Sequence, residues 1–294
     1  MRTYLDCYPC LLGQALEASR RAGADVKAQR EILEQVLELL KGFPPESKPP
    51  EINRVVHRIV REQMKTADPY REAKARSTEE ALSLLPWMRR QLENVPDRLE
   101  TAARFSIAGN IIDAIPGREY DLREEVQRVL EKPLTVNHLE PFREALAEAD
   151  WVLFLADNAG ETVCDRPLLE LIEAPVTYAV KGSPIANDAT MEDALAAGVD
   201  DEAKLMSTGS DAAGTLLETC SAAFREVFRD APLIIAKGQA NYECLSESGP
   251  RVFFLLQAKC PVLARDAGVP TESTILLRGQ GERDTADSNE ESAA

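Results

Sequence analysis

The stretch WVLFLADNAGE, residues 151–161, decides the fold. Residues 151–156 form a short and almost unbroken apolar run, which is typical of a strand buried on both faces of a parallel sheet. The run stops at Asp157 and Asn158, and apolar residues at helical spacing follow Glu161. In open α/β sheets, ligands bind where strands end and helices begin. The stretch therefore predicts both a parallel sheet and the position of a ligand site.

The residues that end this strand suit a divalent cation. Asp157 and Asn158 offer a carboxylate and a carboxamide oxygen, which are the hard donors that magnesium and manganese prefer. Asp188 follows the next predicted strand, and the carboxyl ends of parallel strands lie on one edge of the sheet. The alternative is that these side chains only cap turns and helices. We expect a metal site formed by Asp157, Asn158 and Asp188.

Strands and helices alternate in the second half of the chain. Apolar runs predict further strands at 176–180, 203–206, 233–236, 252–256 and 275–277. This alternation predicts right-handed crossovers and an α/β fold with a mostly parallel sheet. Residues 8–128 have helical spacing instead, including a helix at 71–85 that Pro86 is expected to end or kink. We divide the chain into a helical N-terminal region (1–149), an α/β domain (150–278) and a charged tail (279–294) predicted to be disordered.

Composition excludes several functions. The 294 residues are 44% hydrophobic and 29% charged, as in ordinary soluble proteins. A net charge of -16 argues against nucleic-acid or anionic-membrane partners. No bilayer-spanning run or signal-peptide pattern is visible, so we predict a cytosolic protein. Two histidines disfavour histidine-rich zinc chemistry, and the lack of G-x-G-x-x-G and Walker A patterns disfavours dinucleotide enzymes and P-loop ATPases.

Polar residues at the other strand ends are candidate phosphate or substrate contacts. They are Glu161, Lys181, Ser207, Gly209, Ser210, Lys237, Asn241 and Lys259. Lysines beside a Ser/Gly loop suit a phosphate that completes the coordination of a metal. Each lysine alone would be a solvated surface residue, and Lys259, directly after a buried strand, is the strongest candidate. Asn110 and Asp113 lie either on a solvated helix face or at the site.

Three cysteines form a separate hypothesis. The six cysteines are scattered through a chain too large to need disulfides, which indicates mostly reduced thiols. Cys7 and Cys10 form a C-x-x-C pattern, which indicates a redox pair, half of a metal site or two buried apolar residues. A cluster of Cys7, Cys10 and Cys260 would have lowered thiol pKa values and would bind a soft metal or form a disulfide. The other three cysteines are expected in the core.

Several motifs stand in order along the chain. They are DNAGE (157–161), KGSPIANDAT (181–190), STGSDAAGT (207–215), KGQANYE (237–243) and LLQAKCP (255–261). Together they resemble the DUF89 family, the damage-control phosphatases with an ARMT1-like fold. CYPC (7–10) and IAGNIID (107–113) resemble its prokaryotic, cysteine-containing branch. Two residues depart from the family pattern, because Gln239 stands where other branches have aspartate and Ala213 where proline is expected.

The resemblance implies a fold and an activity. The fold is a helical N-terminal region packed on a Rossmann-like αβα domain. The activity is metal-dependent hydrolysis of small phosphorylated metabolites such as sugar phosphates, with magnesium, manganese, cobalt or nickel as the ion. It implies Asp157, Asn158 and Asp188 as catalytic metal ligands and Lys259 as a catalytic phosphate contact. The residues themselves leave open whether Asp157 or a water is the nucleophile, and they leave the oligomeric state open. The alternative function is a non-catalytic protein that binds a phosphorylated ligand or a metal.

Overall fold

The computed structural model describes residues 1–44, 46–110 and 122–281. Its helices are α1 (Cys7–Arg21), α2 (Val26–Gly42), α3 (Pro49–Met64), α4 (Arg71–Glu93), α5 (Arg98–Gly109), α6 (Leu122–Glu131), α7 (Leu139–Glu148), α8 (Glu161–Leu169), α9 (Met191–Ala196), α10 (Ala222–Asp230), α11 (Gly238–Leu245) and α12 (Pro261–Asp266). Its strands are β1 (Val136–Asn137), β2 (Val152–Leu155), β3 (Val176–Val180), β4 (Lys204–Ser207), β5 (Leu233–Lys237), β6 (Val252–Ala258) and β7 (Ser273–Arg278). None of these described helices is long and apolar enough to cross a bilayer. Asp113 and most of the tail predicted to be disordered, residues 282–294, lie outside the described ranges.

The strands form one sheet in the order β1-β7-β6-β5-β2-β3-β4. Strands β2 to β6 are parallel, and β2 lies at the centre, where Leu153 pairs with Thr177 on one side and Ile234 on the other. The prediction of a mostly parallel sheet is therefore confirmed. The sequence did not predict that β7 is antiparallel to β6, or that β1 joins the sheet from within the region assigned to helices. A two-residue strand is too short to show a period of its own.

Alternate residues of β2 pack into two separate cores. Phe154 faces a cluster that includes residues of α4, α5, α7 and α8. Leu153 faces a second cluster, formed with α10, α11 and α12. This arrangement follows from the period of two in a strand, which sends successive side chains to opposite faces of the sheet. The αβα layering implied by the family resemblance is thus present, and α4 and α5 belong to one of its helical layers.

Helices α1, α2 and α3 form a third core of their own. Leu11, Ile32 and Val56 lie inside it. Helix α3 is fixed to the loop after β4 by Asp211, whose carboxylate pairs with the guanidinium groups of Arg54 and Arg61. These ion pairs hold the three-helix unit over the edge at which the parallel strands end.

Helix α4 continues through Pro86 to Glu93, so of the two predicted effects of Pro86, an end or a kink of the helix, the end is wrong. A proline inside a helix costs about 3 kcal/mol, because it removes a backbone hydrogen bond and crowds the preceding turn. Three side chains beyond the proline, Trp87, Met88 and Leu92, are buried in the core next to the sheet. The burial of these three side chains offsets the cost of the proline. Packing against the core therefore outweighs the local tendency of Pro86 to end the helix.

His57 of α3 is a buried histidine with a lowered pKa. Its side chain is 3% exposed, and its ring lies 5.9 Å from that of Tyr70. Burial first, and the charge of Arg61 second, lower the pKa of His57 to about 4. An unfolded chain has a histidine pKa of about 6.5, so between these values only the unfolded state takes up the proton. The folded protein must therefore lose stability as the pH falls from about 6.5 towards 4.

Replacement of His57 should remove this acid-sensitive part of the stability. Between pH 8 and pH 5 the two pKa values correspond to a loss of about 2 kcal/mol in the free energy of unfolding. We expect His57→Gln to lose about 2 kcal/mol less than the parent over this interval, because glutamine does not titrate. Urea denaturation of both proteins at the two pH values measures the difference. An equal decline in both proteins would contradict the assignment.

Candidate metal and phosphate site

A cavity of about 380 Å³ lies between α1, α3 and the edge of the sheet at which the parallel strands end. Asp157, Asn158 and Asp188 line it from the sheet side. Lys259, which follows β6, lines the same cavity. The structure thus brings the three predicted metal ligands and the strongest predicted phosphate contact to one place.

The backbone after β3 folds back on the end of β2 and places Asp188 beside Asp157. Asn158 and Asp188 form an isolated antiparallel bridge. The amide of Ala189 donates to the carbonyl oxygen of Asp157 at 2.8 Å, and the amide of Lys181 donates to the carbonyl oxygen of Ala189 at 2.9 Å. The polar ends of two neighbouring strands are therefore joined by backbone hydrogen bonds rather than by side chains alone.

Two carboxamides hold the side chain of Asp157. Its Oδ2 accepts hydrogen bonds from Nδ2 of Asn110 at 3.0 Å and Nδ2 of Asn158 at 3.1 Å. The same two nitrogens donate to Oε2 of Glu161, each at 3.1 Å. Asn110, which follows α5, is therefore part of the site and not a residue on a solvated helix face. The carboxylates of Asp157 and Glu161 share the same pair of donors, which brings two negative charges close together.

Asp188 carries a buried oxygen that lacks a hydrogen bond. Its side chain is 4% exposed, and Oδ2 has no hydrogen-bond partner in the described part of the chain. The ammonium of Lys181 lies 3.5 Å from this oxygen and donates to the carbonyl of Gly214 at 3.0 Å. Burial raises the pKa of Asp188 to about 6, although Lys181 acts in the opposite direction. An unsatisfied carboxylate oxygen is costly in the interior, and a cation would stabilise it.

The donor set fits a hard divalent ion. Burial, followed by the neighbouring charges of Glu161 and Asp188, raises the pKa of Asp157 well above its ordinary value. Mutual repulsion of this kind is relieved when a cation binds between the carboxylates. No group of three or more His, Cys, Asp or Glu side chains in the described ranges is arranged to hold a metal. The predicted set, the carboxylates of Asp157 and Asp188 with the carboxamide oxygen of Asn158, contains only oxygen donors, and an all-oxygen set of this kind suits magnesium or manganese.

Lys259 lies on the wall of the cavity next to Asn110. Its ammonium donates a hydrogen bond to the backbone carbonyl oxygen of Asn110. The side chain of Asn110 in turn donates to Asp157. Asn110 therefore links Lys259 to one of the candidate metal ligands. This position agrees with the predicted phosphate contact, which stays a prediction.

Three other predicted substrate contacts lie behind the cavity wall. Lys237 is wholly buried, and its ammonium lies 2.5 Å from Oε1 of Glu161, 2.6 Å from Oδ1 of Asp165 and 2.9 Å from the carbonyl oxygen of Ser106. The Asn241 amide donates to the Lys237 carbonyl at 2.7 Å. Glu161 and Asn241 are also wholly buried. The geometry does not support phosphate contacts at these positions, because buried partners already occupy their polar atoms. Lys181, paired with Asp188 and 3% exposed, is in the same situation.

The Ser/Gly loop after β4 is held by bonds within itself and to its neighbours. The hydroxyl of Ser207 accepts from the amide of Gly209 at 3.1 Å. The hydroxyls of Ser210 and Thr219 lie 2.5 Å apart. These contacts give Ser207, Gly209 and Ser210 a structural role, and their predicted contacts with phosphate stay predictions.

The three predicted cluster cysteines face one cavity, and the pKa values of Cys7 and Cys10 are raised rather than lowered. Cys7, Cys10 and Cys260 all line it, and all are free thiols. Burial raises the pKa values of Cys7 and Cys10, and Glu243 and the neighbouring thiols raise them further. The predicted lowering of these pKa values is therefore wrong, because desolvation disfavours a thiolate and the carboxylate of Glu243 disfavours it further. No soft-metal group is found among the described residues. Cys164, Cys220 and Cys244 are buried, as expected.

Asp165 is not among the site residues predicted from the sequence. It is wholly buried on α8, and its carboxylate accepts from the hydroxyl of Ser106 at 2.6 Å and from that of Tyr178 at 2.7 Å. Its spacing from Glu161 is i, i+4, which places both carboxylates on one face of the helix. Two acidic residues on a buried helix face need a cation near them, but the spacing does not identify Lys237 as that cation.

The chain is similar to known proteins along most of its length. Residues 3–275 match the damage-control phosphatase ARMT1-like domain. The chain is 33% identical to the damage-control phosphatase PH1575 of Pyrococcus horikoshii, over 95% of this chain and 99% of that protein. It is 34% identical to a damage-control phosphatase of Archaeoglobus fulgidus, over 90% and 94% of the two chains. The crystal structure of the DUF89 family protein PH1575 superposes with a TM-score of 0.88 at 33% identity and covers 95% of this chain and 100% of that one.

Gly238 leaves the space that Asp157 occupies, and its replacement should disrupt the site. Its φ is +74°, and a Cβ atom there would lie 1.8 Å from Oδ2 of Asp157. We expect Gly238→Ala to displace the carboxylate and to weaken Mn²⁺ binding by about tenfold or more, as expected when one metal ligand loses its support. Isothermal titration with Mn²⁺ measures this.

Gly249→Ala is the matched control for backbone strain. Gly249 has a φ of +90°, and a Cβ atom there would meet no atom within 4 Å. Both substitutions impose a strain of about 1–3 kcal/mol, but only one reaches the carboxylate. Equal Mn²⁺ affinities in the two variants would show that Gly238 does not support the site.

Proposed function

The chain belongs to the ARMT1-like damage-control phosphatase family, and on this basis we propose that it hydrolyses phosphate monoesters of small metabolites at the cavity between α3 and the edge of the sheet. Family membership supports a phosphatase that acts on phosphorylated metabolites. The observation that supports placing the reaction here is the buried pair Asp157 and Asp188, which faces the same cavity as Lys259. A cavity of about 380 Å³ is suited to a small-molecule ligand.

Asp157, Asn158 and Asp188 would hold the divalent ion on which this family generally depends. A bound ion would polarise the phosphoryl oxygens of the ester. The repelling carboxylates and the unsatisfied Oδ2 of Asp188 support this placement, because each becomes more stable when a cation is present. The all-oxygen donor set favours magnesium or manganese over the softer cobalt and nickel.

Lys259 would bind the phosphoryl group. An ammonium on the cavity wall neutralises negative charge that develops on the phosphoryl oxygens in the transition state. The carbonyl of Asn110 holds this ammonium beside the carboxylate end of the cavity. Since the lysine and the carboxylates line one wall of the cavity, a phosphate between them would contact both the ion and the ammonium.

Release of p-nitrophenol from p-nitrophenyl phosphate, with and without Mn²⁺, tests the proposal. We expect turnover that EDTA abolishes and Mn²⁺ restores.

Asp157→Ala and Asp188→Ala should lower turnover by about a thousandfold or more, since each removes an ion ligand. Thermal unfolding in EDTA should be unchanged or shifted upward in Asp157→Ala, which removes a buried and poorly compensated charge. Asp188→Ala also removes the counter-charge of the buried Lys181, so its unfolding temperature in EDTA should be lower than that of the parent. Full activity in either variant after metal re-addition would reject the site. Phosphate binding without turnover in the parent protein would favour the non-catalytic alternative.

Lys259→Met tests the phosphate contact separately. The variant keeps most of the apolar stem and removes the ammonium, so turnover should fall by about a hundredfold while Mn²⁺ affinity is kept. Steady-state kinetics and a Mn²⁺ titration of the same sample measure both quantities. Lys204→Met, at an exposed lysine of β4, makes the same change of charge away from the cavity. If the two variants have the same kinetics, Lys259 does not contact the phosphoryl group.

A further inference from the structure

Behind the cavity lies a buried ion-pair group that the proposed reaction does not use directly. It consists of Glu161, Asp165 and Lys237, each 0% exposed. The lysine ammonium contacts one oxygen of each carboxylate, at 2.5 Å and 2.6 Å. Burying three charges is expensive, and the attraction between them repays the cost only when the geometry is well fixed. Such a group can therefore position its neighbours accurately.

Glu161 connects this group to the candidate metal ligands. Its Oε1 faces Lys237, and its Oε2 accepts from Nδ2 of Asn158 and of Asn110. An ionised carboxylate can only accept hydrogen bonds, so it dictates which side of a neighbouring carboxamide is nitrogen. The nitrogen of Asn158 lies on the side of Glu161 and Asp157. Its oxygen therefore lies on the opposite side of the carboxamide.

We propose that Glu161, held by Lys237, is a positioning residue that turns the oxygen of Asn158 rather than its nitrogen toward the metal ion; this inference rests on the proposed function. A carboxamide turned the other way would point N–H groups at the cation and supply no ligand. In this role Lys237 is the counter-charge that fixes the carboxylate of Glu161. It does not contact the phosphate.

The approach of α5 to α8 supports the same role. A Cβ atom on Gly109 would lie 2.9 Å from Cγ of Glu161 and 2.8 Å from Cβ of Cys164. The absence of a side chain at Gly109 lets the end of α5 pack directly against Glu161. The next residue, Asn110, then reaches both Glu161 and Asp157.

The test is a pair of variants measured with Mn²⁺ alone by isothermal titration. In Glu161→Gln, the ammonium of Lys237 still needs an acceptor on this side chain, so the introduced amide turns its oxygen toward Lys237. Its NH₂ group then faces Asn110 and Asn158, which are donors themselves. The NH₂ group of Asn158 then keeps only Asp157 of its two carboxylate acceptors. The carboxamide loses its fixed orientation, and Mn²⁺ affinity should fall by about tenfold or more. In the double variant Glu161→Gln with Lys237→Met, the introduced amide is free to turn its oxygen toward Asn158. We expect most of the lost affinity to return.

Tyr178→Phe is the control for disturbance of the buried network. It removes the 2.7 Å hydrogen bond to Asp165 and leaves Glu161 untouched, so Mn²⁺ affinity should stay within about twofold of the parent. Thermal unfolding in EDTA verifies that each variant folds. If Glu161→Gln does not fold, Glu161→Asp, which keeps the charge and shortens the reach, is expected to show the same loss of affinity.

The outcomes separate this inference from the proposed function. A parent protein that binds no Mn²⁺ overturns the proposed metal site itself. A parent that binds Mn²⁺, together with parent-like affinity in Glu161→Gln, overturns the positioning role alone. If Glu161→Gln binds Mn²⁺ weakly and Lys237→Met does not restore the affinity, the positioning role is also overturned. The orientation of Asn158 would then not be the cause of the weaker binding. Loss in the single variant and recovery in the double variant support the inference.

Discussion

Four carboxylates are buried around the ends of β2 and β3, and the repulsion between them is the constraint on which the rest of this region depends. They are Asp157, Glu161, Asp165 and Asp188, each less than a tenth exposed. Two buried ammonium groups, those of Lys181 and Lys237, contact them. Four negative and two positive charges leave a formal charge of minus two. Uncompensated charge is costly in the interior, and one divalent cation would cancel it.

The four carboxylates are divided into an inner and an outer pair. Lys237 compensates the inner pair directly, at hydrogen-bond distance from both carboxylates. The outer pair, Asp157 and Asp188, faces the cavity, and the ammonium of Lys181 lies 3.5 Å from the carboxylate of Asp188. The inner pair is therefore satisfied within the protein, whereas the outer pair is left to bind something from outside. Rigid support behind exposed ligands is the arrangement that keeps a metal site in its working geometry.

The sheet and the convergence of Asp157, Asn158, Asp188 and Lys259 on one cavity were predictable because their signals are local. The apolar run of β2 and the polar residues that follow it stand next to each other in the sequence, and a parallel sheet brings such ends together. The direction of a lysine side chain is not local. Lys237 and Lys259 both follow apolar strands, yet one is wholly buried and the other lines the cavity. Only the packing of α5 and α8 against β5 decides between these positions, and no spacing pattern contains that information. The C-x-x-C pattern likewise did not indicate that its two thiols lie near the carboxylate of Glu243.

Anomalous diffraction from crystals soaked in Mn²⁺ tests most directly whether the buried carboxylates form a metal site. We expect one ion in the cavity, bound by carboxylate oxygens of Asp157 and Asp188 and by Oδ1 of Asn158, with Nδ2 of Asn158 still on Glu161. An ion bound elsewhere, for example by the thiols of Cys7 and Cys10, would contradict the assignment, and so would a saturating soak that leaves the cavity without an ion.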